Sequence, residues 1–414
     1  MQKIRRELFV KIKNHLKVKE ISLIVGPRQA GKTTLMHELK SYLDSKKEKT
    51  LFLNLDYEKD AVFFKSQSAL LGKIELEFGK EKGFVFIDEI QRKENAGLFL
   101  KGLYDLNLPH KFIISGSGSL ELKEKIHESL AGRKRIFELG TVTFKEFVNF
   151  KTDYKYSDKL DDFFAVEKEE SLKLLTEYLD FGGYPRVILE KIFSEKNTLI
   201  NEIFKSYVEK DIAFLLGVAK IDAFNLLIKL LASQTGQIIK YSKMAEESGI
   251  SVPTLKNYLW YAEKTFSIKT ISPYFKNKHK EITQSPSVYF YDIGMRNFAL
   301  NLFGNVSNRI DQIGFVFQNF VANRLYEKIS DSAESLHFWR TLNGAEVDFV
   351  ISNGNSILPI EVKFSKIKKP KITRSFGNFI KTYSPAEAWV INLELNTEIK
   401  IGNTTVKFIP YYEI

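Results

Sequence analysis

The sequence predicts an α/β domain, then a helical middle region, then an α+β region, and three observations lead to this fold class. Over residues 1–150, short apolar runs alternate with helix-like stretches, a pattern typical of a parallel sheet with helices on both faces. Residues 158–232 are rich in Leu, Phe, Glu and Lys at helical spacing. Strand-like runs separated by Asn343-Gly344 and Asn353-Gly354 turns follow later. We therefore predict three domains, at residues 1–150, 151–285 and 286–414.

Composition and charge exclude several classes of protein. Hydrophobic residues make up 44% of the chain and charged residues 27%, which is typical of a globular protein with a core. Cysteine is absent, so disulfides, thiolate zinc sites and cysteine nucleophiles are excluded, which fits the reducing cytoplasm. No apolar run approaches the roughly 20 residues of a membrane span. We therefore expect a cytoplasmic protein with no membrane partner, whose net charge of +11 permits a nucleic-acid partner.

A phosphate-binding motif follows the first apolar run, Ile21–Val25, and opens a predicted helix, Thr33–Ser45. The pattern G-x-x-x-x-G-K-[ST] is matched by Gly26-Pro27-Arg28-Gln29-Ala30-Gly31-Lys32-Thr33, and Thr34 comes next. In such a P-loop the backbone N–H groups surround the phosphates, and the helix directs its positive end at them. Lys32 is expected to reach the β- and γ-phosphates, and the Thr33 hydroxyl to bind Mg²⁺. These residues predict a site for ATP and Mg²⁺.

A second acidic element favours nucleotide hydrolysis over nucleotide storage. The buried strand predicted at Phe84–Ile87 ends in Asp88 and Glu89. Asp88 is placed to hold Mg²⁺ through water, and Glu89 to orient and deprotonate the attacking water. An Asp-Glu pair at a strand end can also simply cap the next helix. Its combination with the P-loop favours the catalytic interpretation.

Two further residues are candidates for the same site. Ser115 ends the predicted strand Lys111–Ser115 and could sense the γ-phosphate, although an ordinary polar turn explains it equally well. Arg133 precedes the predicted strand Arg135–Leu139 and could act as an arginine finger on a neighbouring subunit, because that role needs a rigid bidentate cation. A surface arginine is the simpler interpretation. The arginine-finger hypothesis implies a homo-oligomer.

The middle region contains a helix-turn-helix pattern. One helix is predicted at Tyr241–Gly249, and a second begins after Ser251, which is a suitable N-cap. The buried face of the second helix is predicted to contain Leu255, Tyr258, Leu259 and Ala262. Its outer face would present Thr254, Lys256 and Asn257, as a DNA-recognition helix requires. A basic wing would follow, formed by Lys264, Lys269, Lys276, Lys278 and Lys280. The alternative is a winged helix that only packs or contacts protein.

The last predicted domain brings two carboxylates and a lysine together. Residues 337–352 predict a hairpin and residues 357–364 a third strand. Because side chains alternate along a strand, Glu361 and Lys363 share a face, and Asp348 lies on the adjacent strand. Asp-x12-Glu-x-Lys is the arrangement of PD-(D/E)XK nucleases, in which carboxylates hold Mg²⁺ and the lysine stabilises developing charge. A routine cross-strand Asp–Lys pair gives the same spacing.

Together these motifs resemble one family, the AAA-type P-loop ATPases of archaea and bacteria with a C-terminal domain of unknown function related to restriction-endonuclease-like folds. Besides the P-loop, the marks are Phe86-Ile87-Asp88-Glu89, Ile114-Ser115-Gly116-Ser117, Leu130-Ala131-Gly132-Arg133, Gly182-Gly183-Tyr184-Pro185, Tyr207-Val208-Glu209-Lys210-Asp211-Ile212, Tyr291-Asp292-Ile293-Gly294, Glu346-Val347-Asp348 and Ile360-Glu361-Val362-Lys363. The resemblance covers nearly the whole chain. It implies ATP binding, ATP hydrolysis and a nuclease-like C-terminal fold.

The resemblance also makes Gln318 a departure from the family. Nuclease-like folds of this kind have a further acidic residue on the preceding helix, where relatives tend to carry Glu and this chain carries Gln318. Glutamine can still accept a hydrogen bond from a metal-bound water, but one ligand charge is lost. Because hard cations depend on the number of carboxylates, we expect weaker binding of divalent cations. Nuclease activity at Asp348, Glu361 and Lys363 stays open.

The positive charge is concentrated beside this cluster. No acidic residue occurs between Glu361 and Glu387, whereas seven cations do: Lys363, Lys366, Lys368, Lys369, Lys371, Arg374 and Lys381. Such a tract favours a phosphate-binding surface, and a solvated lysine-rich loop is the competing interpretation. We therefore predict an ATPase whose nucleotide cycle controls a nucleic-acid-binding half, with DNA favoured over RNA. The alternative is a nucleotide-dependent switch or scaffold whose inactive nuclease-like half binds a protein, and a small-molecule kinase is less favoured.

Overall fold

The computed structural model describes residues 3–117, 129–207, 221–275, 284–341, 343–354 and 356–414. The α-helices are α1 (Leu8–His15), α2 (Lys32–Ser45), α3 (Glu58–Ala61), α4 (Gln67–Phe78), α5 (Ala96–Asp105), α6 (Phe144–Lys151), α7 (Leu160–Val166), α8 (Lys168–Phe181), α9 (Pro185–Leu189), α10 (Phe193–Ser206), α11 (Ile221–Ser233), α12 (Tyr241–Glu247), α13 (Val252–Lys264), α14 (Ile293–Ala299), α15 (Ile310–Ile329) and α16 (Arg374–Tyr383).

The strands are β1 (Ile21–Gly26), β2 (Lys49–Asn54), β3 (Gly83–Asp88), β4 (Lys111–Ser117), β5 (Lys134–Glu138), β6 (Ile268–Ile271), β7 (Ser287–Phe290), β8 (Ser335–Arg340), β9 (Glu346–Ser352), β10 (Ile357–Val362), β11 (Glu387–Asn392), β12 (Thr397–Ile401) and β13 (Thr404–Pro410). Some residues singled out in the sequence lie outside the described residues, namely 208–212, Lys276, Lys278 and Lys280. Where the sequence predicts strand ends, at β1, β3, β4, β5, β8, β9 and β10, they agree with the observed ends to within two residues.

Strands β1–β5 form the predicted parallel sheet, in the order β2-β3-β4-β1-β5. Successive side chains of each strand point to opposite faces and enter different cores. Leu23 and Ile114 pack with α4 and α5. Ile24 and Ile113 pack with α1 and α2 on the other face. The prediction of a sheet covered on both faces is confirmed, and the carboxyl ends of its parallel strands all lie at one edge.

The middle region contains the predicted pair of helices, α12 and α13, followed by the antiparallel strands β6 and β7. Leu255, Tyr258, Leu259 and Ala262 are buried, so the predicted inner face of α13 is confirmed. The long helix α15 packs against β7 through Asn319, which is fully buried. Its amide oxygen accepts from the Phe290 N–H at 2.8 Å, and its amide nitrogen donates to the Phe290 carbonyl at 2.8 Å. Asn319 therefore satisfies a strand edge as a neighbouring strand would.

The C-terminal sheet is mixed, with the order β12-β13-β11-β10-β9-β8. The predicted hairpin is β8–β9, and β10 pairs antiparallel with β9 and parallel with β11. Helix α16 covers one face through Phe376 and Phe379. Helix α15 covers the other face through Phe317 and Phe320. The α+β prediction for this region is confirmed.

One hydrophobic core crosses both predicted domain boundaries. The Phe144 ring of α6 lies 5.5 Å from Tyr178 of α8, 5.3 Å from Phe320 of α15 and 5.9 Å from Tyr411, measured between ring centroids. Aromatic rings at these separations pack favourably edge to face. The segments before residue 150 and after residue 286 therefore share a core with the helices between them.

None of the helices in the described part of the chain combines the length and the apolarity that crossing a membrane requires.

Candidate functional site

The P-loop joins the carboxyl end of β1 to the first turn of α2. Gly31 is the N-cap of α2 and has a φ of 98°, a left-handed conformation that a side chain would strain. No side chain caps this helix. The first turn of a helix has N–H groups without intrahelical partners, and the helix dipole there favours a negatively charged ligand. The loop has the features that an anion-binding helix start needs.

Lys32 is held inside the loop. Its side chain is buried, and its ammonium donates to the carbonyls of Gly26 at 3.0 Å and Pro27 at 2.8 Å. These acceptors are neutral, so a phosphate would attract the ammonium more strongly than they do. The predicted phosphate-binding cation therefore already lies at the loop.

Three sequence-predicted residues meet at the carboxyl edge of the sheet. Asp88 ends β3 and is fully buried, and one of its oxygens accepts from the Thr33 hydroxyl at 2.7 Å. The other oxygen accepts from the Ser115 hydroxyl of β4. The strand order β3-β4-β1 explains the meeting, because it places the ends of these three strands side by side. Ser115 therefore contacts Asp88 directly, and its role as a γ-phosphate sensor stays a prediction.

Glu89 lies beside Asp88 in an unusual backbone conformation. Its φ of 58° and ψ of 41° are left-handed, and such conformations of non-glycine residues cluster at functional sites. The Gln91 amide donates to its carboxylate. Burial, followed by the negative charge of Asp88, raises the pKa of Glu89. The carboxylate thus lies at the same edge as the P-loop, where a general base is needed.

The residues at this edge fit an Mg²⁺ ion. Magnesium prefers oxygen donors, usually one or two carboxylates together with phosphates and water. Thr33 and Asp88 supply a hydroxyl and a carboxylate that already touch each other. The hydroxyl is both donor and acceptor, so it can turn its proton away and offer a lone pair to a cation.

Arg133 lies at the opposite edge of the same sheet. Its carbonyl accepts from the Ile21 N–H at 2.9 Å, at the start of β1, and its guanidinium pairs with Asp105 at 2.8 Å. With about 3.3 Å of rise per residue, the six residues of β1 separate the two edges by roughly 20 Å. Arg133 is therefore remote from the P-loop of its own chain. Its predicted role is compatible only with the site of a neighbouring subunit.

Two motifs of the resemblance to which no function was assigned, Gly182–Pro185 and Tyr291–Gly294, pack against each other next to the P-loop. We call this buried contact the Asp292 joint. The two segments approach closely at Gly182 and Gly294. A Cβ on Gly182 would collide with the backbone of Gly294, and a Cβ on Gly294 would collide with the carbonyl of Phe181. Asp292 accepts from the Gly183 N–H at 2.8 Å and caps α14 by accepting from the Met295 N–H at 2.9 Å. Burial raises the pKa of Asp292 to about 6. The joint therefore connects the C-terminal end of α8 to the N-terminal end of α14.

The joint also reaches the P-loop through α9. Pro185 at the start of α9 lies 3.9 Å from the position that a Cβ on Gly31 would take. The Arg186 guanidinium donates to the Gln29 side-chain oxygen at 3.1 Å and to Glu202 at 3.2 Å. Sequence analysis did not predict a contact between Arg186 and the P-loop. The preceding motif, Gly182–Pro185, indicates a turn and gives no sign of a contact with residue 29.

The C-terminal cluster is also assembled as predicted. The register pairs Ile360 with Phe349, which places Glu361 opposite Asp348 on neighbouring strands. Asp348 accepts from the Gln318 amide at 2.9 Å and from the Val362 N–H at 2.7 Å. Lys363 pairs with Glu361 at 2.9 Å. Burial raises the pKa of Asp348 to about 7.

The carboxylates of this cluster are engaged by donors of the chain at every oxygen except one. Each Asp348 oxygen accepts from an N–H group, and the Val362 donor is fixed in the backbone. One oxygen of Glu361 is paired with Lys363, and the other is buried without a hydrogen-bond partner among the described residues. Across the described residues, no group of three or more His, Cys, Asp or Glu side chains could hold a metal ion. Gln318 therefore acts as a donor to Asp348 in place of a third acidic ligand.

The predicted recognition helix presents part of its expected face. Lys256 and Asn257 are exposed, whereas Thr254 is half-buried with its hydroxyl on Ser251 at 2.8 Å. The assignment of Lys269 to a basic wing is wrong. Its ammonium lies between two aromatic rings, 4.1 Å from the centroid of Tyr291 and 4.4 Å from that of Tyr326, and burial lowers its pKa.

The basic tract of residues 363–381 lies on the surface. Its exposed cations are Lys366, Lys368, Lys369, Lys371, Arg374 and Lys381. Lys366 pairs with Glu394 at 3.6 Å. The tract runs from the end of β10 onto α16, so it borders the Asp348 cluster.

Three family models match separate parts of the chain. Residues 18–148 match a model described as an AAA domain. Residues 172–305 and 313–414 match two domains of unknown function, DUF8612 and DUF4143. An uncharacterised protein of Methanocaldococcus jannaschii is 28% identical in an alignment 421 positions long, which covers 99% of this chain and 85% of that protein. An uncharacterised protein of Haemophilus influenzae is 26% identical in an alignment 360 positions long, which covers 83% of this chain and 82% of that protein.

Solved structures with a similar arrangement include the ORC1 protein of Aeropyrum pernix in complex with DNA, with a TM-score of 0.32 and 10% identity over 74% of this chain and 92% of that chain. A RuvB variant of Thermotoga maritima has a TM-score of 0.32 and 17% identity over 64% of this chain and 88% of that chain. The P-loop edge lies within residues 18–148, so its geometry agrees with the match of this part of the chain to an AAA domain.

Proposed function

We propose that the chain is an Mg²⁺-dependent ATPase whose nucleotide cycle controls a nucleic-acid-binding C-terminal half. The observation that carries this proposal is the convergence of Lys32, Thr33, Asp88 and Glu89 at one sheet edge, where the P-loop leads into the N-terminus of α2. Those groups supply what phosphoryl transfer to water needs: positioning, charge neutralisation and a base.

Each residue has a distinct task in this proposal. The N–H groups of the loop hold the phosphates, and Lys32 moves from the Gly26 and Pro27 carbonyls to the β- and γ-phosphates. Glu89 orients the attacking water and accepts its proton. Thr33 and Asp88 would hold Mg²⁺, which when bound neutralises negative charge on the phosphates. Ser115 keeps the Asp88 carboxylate oriented toward Thr33.

Two surfaces support nucleic acid as the partner. The exposed side of α13 carries Lys256 and Asn257. The basic tract of residues 363–381 has no acidic residue of its own to neutralise it. Because phosphate contacts release counterions, affinity for duplex DNA should fall steeply between low and moderate salt. A salt-independent interaction would count against this tract as the binding surface.

A second candidate function is favoured by the Asp348 cluster. The donors on Asp348, the Lys363–Glu361 pair and the neutral Gln318 support a nuclease-like half that binds a partner without cutting it. The chain would then be a nucleotide-dependent switch or scaffold. Divalent-cation-dependent cleavage that Asp348→Ala abolishes would refute this candidate and support a nuclease.

The arginine-finger role of Arg133 adds a homo-oligomer to the proposal. On this hypothesis Arg133 reaches the phosphates of a neighbouring subunit, where such a residue accelerates hydrolysis about 10³-fold or more. Turnover per subunit should then rise with protein concentration, and Arg133→Ala should remove that rise. Turnover that is independent of concentration and unchanged in Arg133→Ala would contradict the trans role.

The first experiment for the main proposal compares ATP hydrolysis by the wild type and Lys32→Ala, each with and without duplex DNA or RNA. We expect steady turnover by the wild type, stimulation by DNA and loss of turnover in Lys32→Ala. ATP binding without turnover, and without any response to either polymer, would favour the switch.

A further inference from the structure

A loop that surrounds an anion with its N–H groups turns carbonyls away from that anion, and these carbonyls need donors behind the loop. In this P-loop, Lys32 serves two carbonyls, those of Gly26 and Pro27. The carbonyl of Ala30 is served from outside the loop. The Arg6 guanidinium donates to it at 2.8 Å, and the same terminal nitrogen lies 3.9 Å from the position of a Cβ on Gly31. Arg6 therefore lies directly behind the phosphate-binding turn.

Arg6 is itself held rigidly. It is 9% exposed, and its Nε donates to Glu146 at 2.9 Å. Its other terminal nitrogen donates to the carbonyls of Gly140 at 2.8 Å and Thr141 at 3.0 Å. Glu146 is equally fixed, because it forms the capping box of α6 with Thr143. The planar fork of an arginine can span these acceptors at once, whereas the single ammonium of a lysine cannot.

We propose that Arg6 is a positioning residue of the nucleotide site, which keeps the Ala30–Gly31 turn in the conformation that receives phosphate. The inference rests on the proposed ATPase function. It extends that function by placing part of the site's support 20 or more residues ahead of the loop. The neighbouring Val142 N–H donates to the Gly183 carbonyl at 2.7 Å, so Arg6 also connects the loop to the Asp292 joint.

A purely structural role is the competing explanation, since Arg6 also fastens the N-terminal segment to α6 through Glu146. The two explanations differ in what they predict for nucleotide binding by folded protein. A structural staple changes the unfolding transition and leaves the ATP affinity of the folded protein unchanged. A positioning residue changes the affinity and KM for ATP, while kcat at saturating ATP stays near the wild-type value because Lys32, Asp88 and Glu89 are intact.

The test measures the affinity for Mg²⁺·ATPγS by calorimetry, and KM and kcat for ATP, in wild type, Arg6→Lys and Arg6→Gln. Thermal unfolding of each variant shows the temperature range in which it is folded. The matched control is Arg5→Lys, because Arg5 is the adjacent arginine and stacks on Tyr154 at 4.3 Å instead of contacting the loop. Arg6→Lys keeps the charge and is the milder of the two changes, so it tests the fork itself.

We expect both Arg6 variants to bind ATPγS at least about tenfold more weakly than the wild type, equivalent to about 1.4 kcal/mol, with kcat within about twofold. Arg5→Lys should bind as the wild type does. The inference is overturned if folded Arg6 variants keep wild-type affinity, or if Arg5→Lys weakens binding equally. A wild type that binds no ATPγS would instead refute the proposed ATPase function, and with it this inference.

Discussion

The P-loop edge and the Asp348 cluster contain the same kinds of side chain and satisfy them in different ways. At the P-loop edge, Asp88 accepts from the hydroxyls of Thr33 and Ser115. It also accepts from the Glu89 N–H at 3.1 Å and the Asn54 amide at 3.5 Å. In the C-terminal cluster, Asp348 accepts from N–H groups of Gln318 and the Val362 backbone. A hydroxyl can exchange its donor role for an acceptor role, but an N–H group can only donate. The hydroxyls beside Asp88 can therefore turn a lone pair toward a cation, whereas the two donors on Asp348 cannot.

The lysines differ in the same sense. Lys32 donates to two backbone carbonyls near the carboxylate of Glu89, whereas Lys363 forms a direct ion pair with Glu361. A direct ion pair weakens the attraction of a cation for a further anion. Acidic and basic side chains at the spacing of a catalytic motif are therefore not sufficient to form a binding site. Their hydrogen-bond partners decide whether a ligand can replace them.

The largest expected effect comes from exchanging these two lysines for alanine. Lys32→Ala should weaken ATP binding by about 100-fold or more, because it removes a charged donor to two phosphates. Lys363→Ala should leave ATP affinity unchanged and lower the free energy of unfolding, because Glu361 loses its partner in a buried position. Calorimetric titration with ATPγS and urea unfolding measure both quantities. Equal losses of ATP affinity in the two variants would break the comparison.

The next effect concerns metal binding. In an Asp88→Ala background, which removes the proposed P-loop metal site, the chain should bind no Mn²⁺ detectably by electron paramagnetic resonance. Adding Gln318→Glu should create Mn²⁺ binding, because it replaces a donor to Asp348 by a third carboxylate. Gln318→Leu is the matched control, since it removes the donor without adding a charge. Mn²⁺ binding by the Asp88→Ala protein itself would show that the Asp348 cluster is open.

A pH dependence is expected from Asp292. Its pKa is raised to about 6, because it is buried. The folded chain therefore holds this proton more tightly than the unfolded chain, so its contribution to the unfolding free energy is greatest below pH 4 and is lost as the pH rises through 6. The loss should be about 3 kcal/mol.

Urea unfolding of wild type and Asp292→Asn between pH 4 and pH 7 isolates this term, because other groups titrate equally in both proteins. We expect the wild type to lose stability relative to Asp292→Asn as the pH rises. A wild type that gains stability relative to the variant over this range would contradict the raised pKa.

The smallest effect is expected on the basic tract. Each single change of Lys368, Lys369 or Lys371 to Gln should weaken duplex-DNA binding only a few-fold and should reduce the salt dependence by about one released counterion. Lys400→Gln, on β12, is a control outside the tract. Fluorescence anisotropy at several salt concentrations measures both quantities. An unchanged salt slope in all three variants would move the binding surface elsewhere.

The sequence pattern predicted those features that residues close together in the chain determine. The P-loop is contiguous, and parallel strands bring Asp88 and Ser115 to its edge without further information. The period of two along β10 put Glu361 and Lys363 on one face. The partners of Asp348 could not be predicted, because Gln318 approaches from a helix 30 residues away. Sequence alone therefore found the residues of this cluster and not the donors that engage them.

Contacts between distant segments account for what sequence analysis missed. Arg6 lies 140 residues from Glu146, and Asp292 lies 109 residues from Gly183. Lys269 belongs to the run of lysines that predicts the basic wing. Its actual environment is made by Tyr291 and Tyr326, which come from β7's end and from α15. The periodicity of a sequence does not predict such long-range contacts, because they depend on how helices and strands pack against each other.

The most direct test of the central claim compares ATP affinity and steady-state ATP hydrolysis in wild type and Glu89→Gln, at saturating Mg²⁺. The account predicts turnover by the wild type. It predicts that Glu89→Gln binds ATP nearly as well and hydrolyses it about 100-fold or more slowly, because the water loses its base. Hydrolysis by Glu89→Gln at the wild-type rate would contradict the account, since the edge formed by Lys32, Asp88 and Glu89 would then not be where ATP is cleaved.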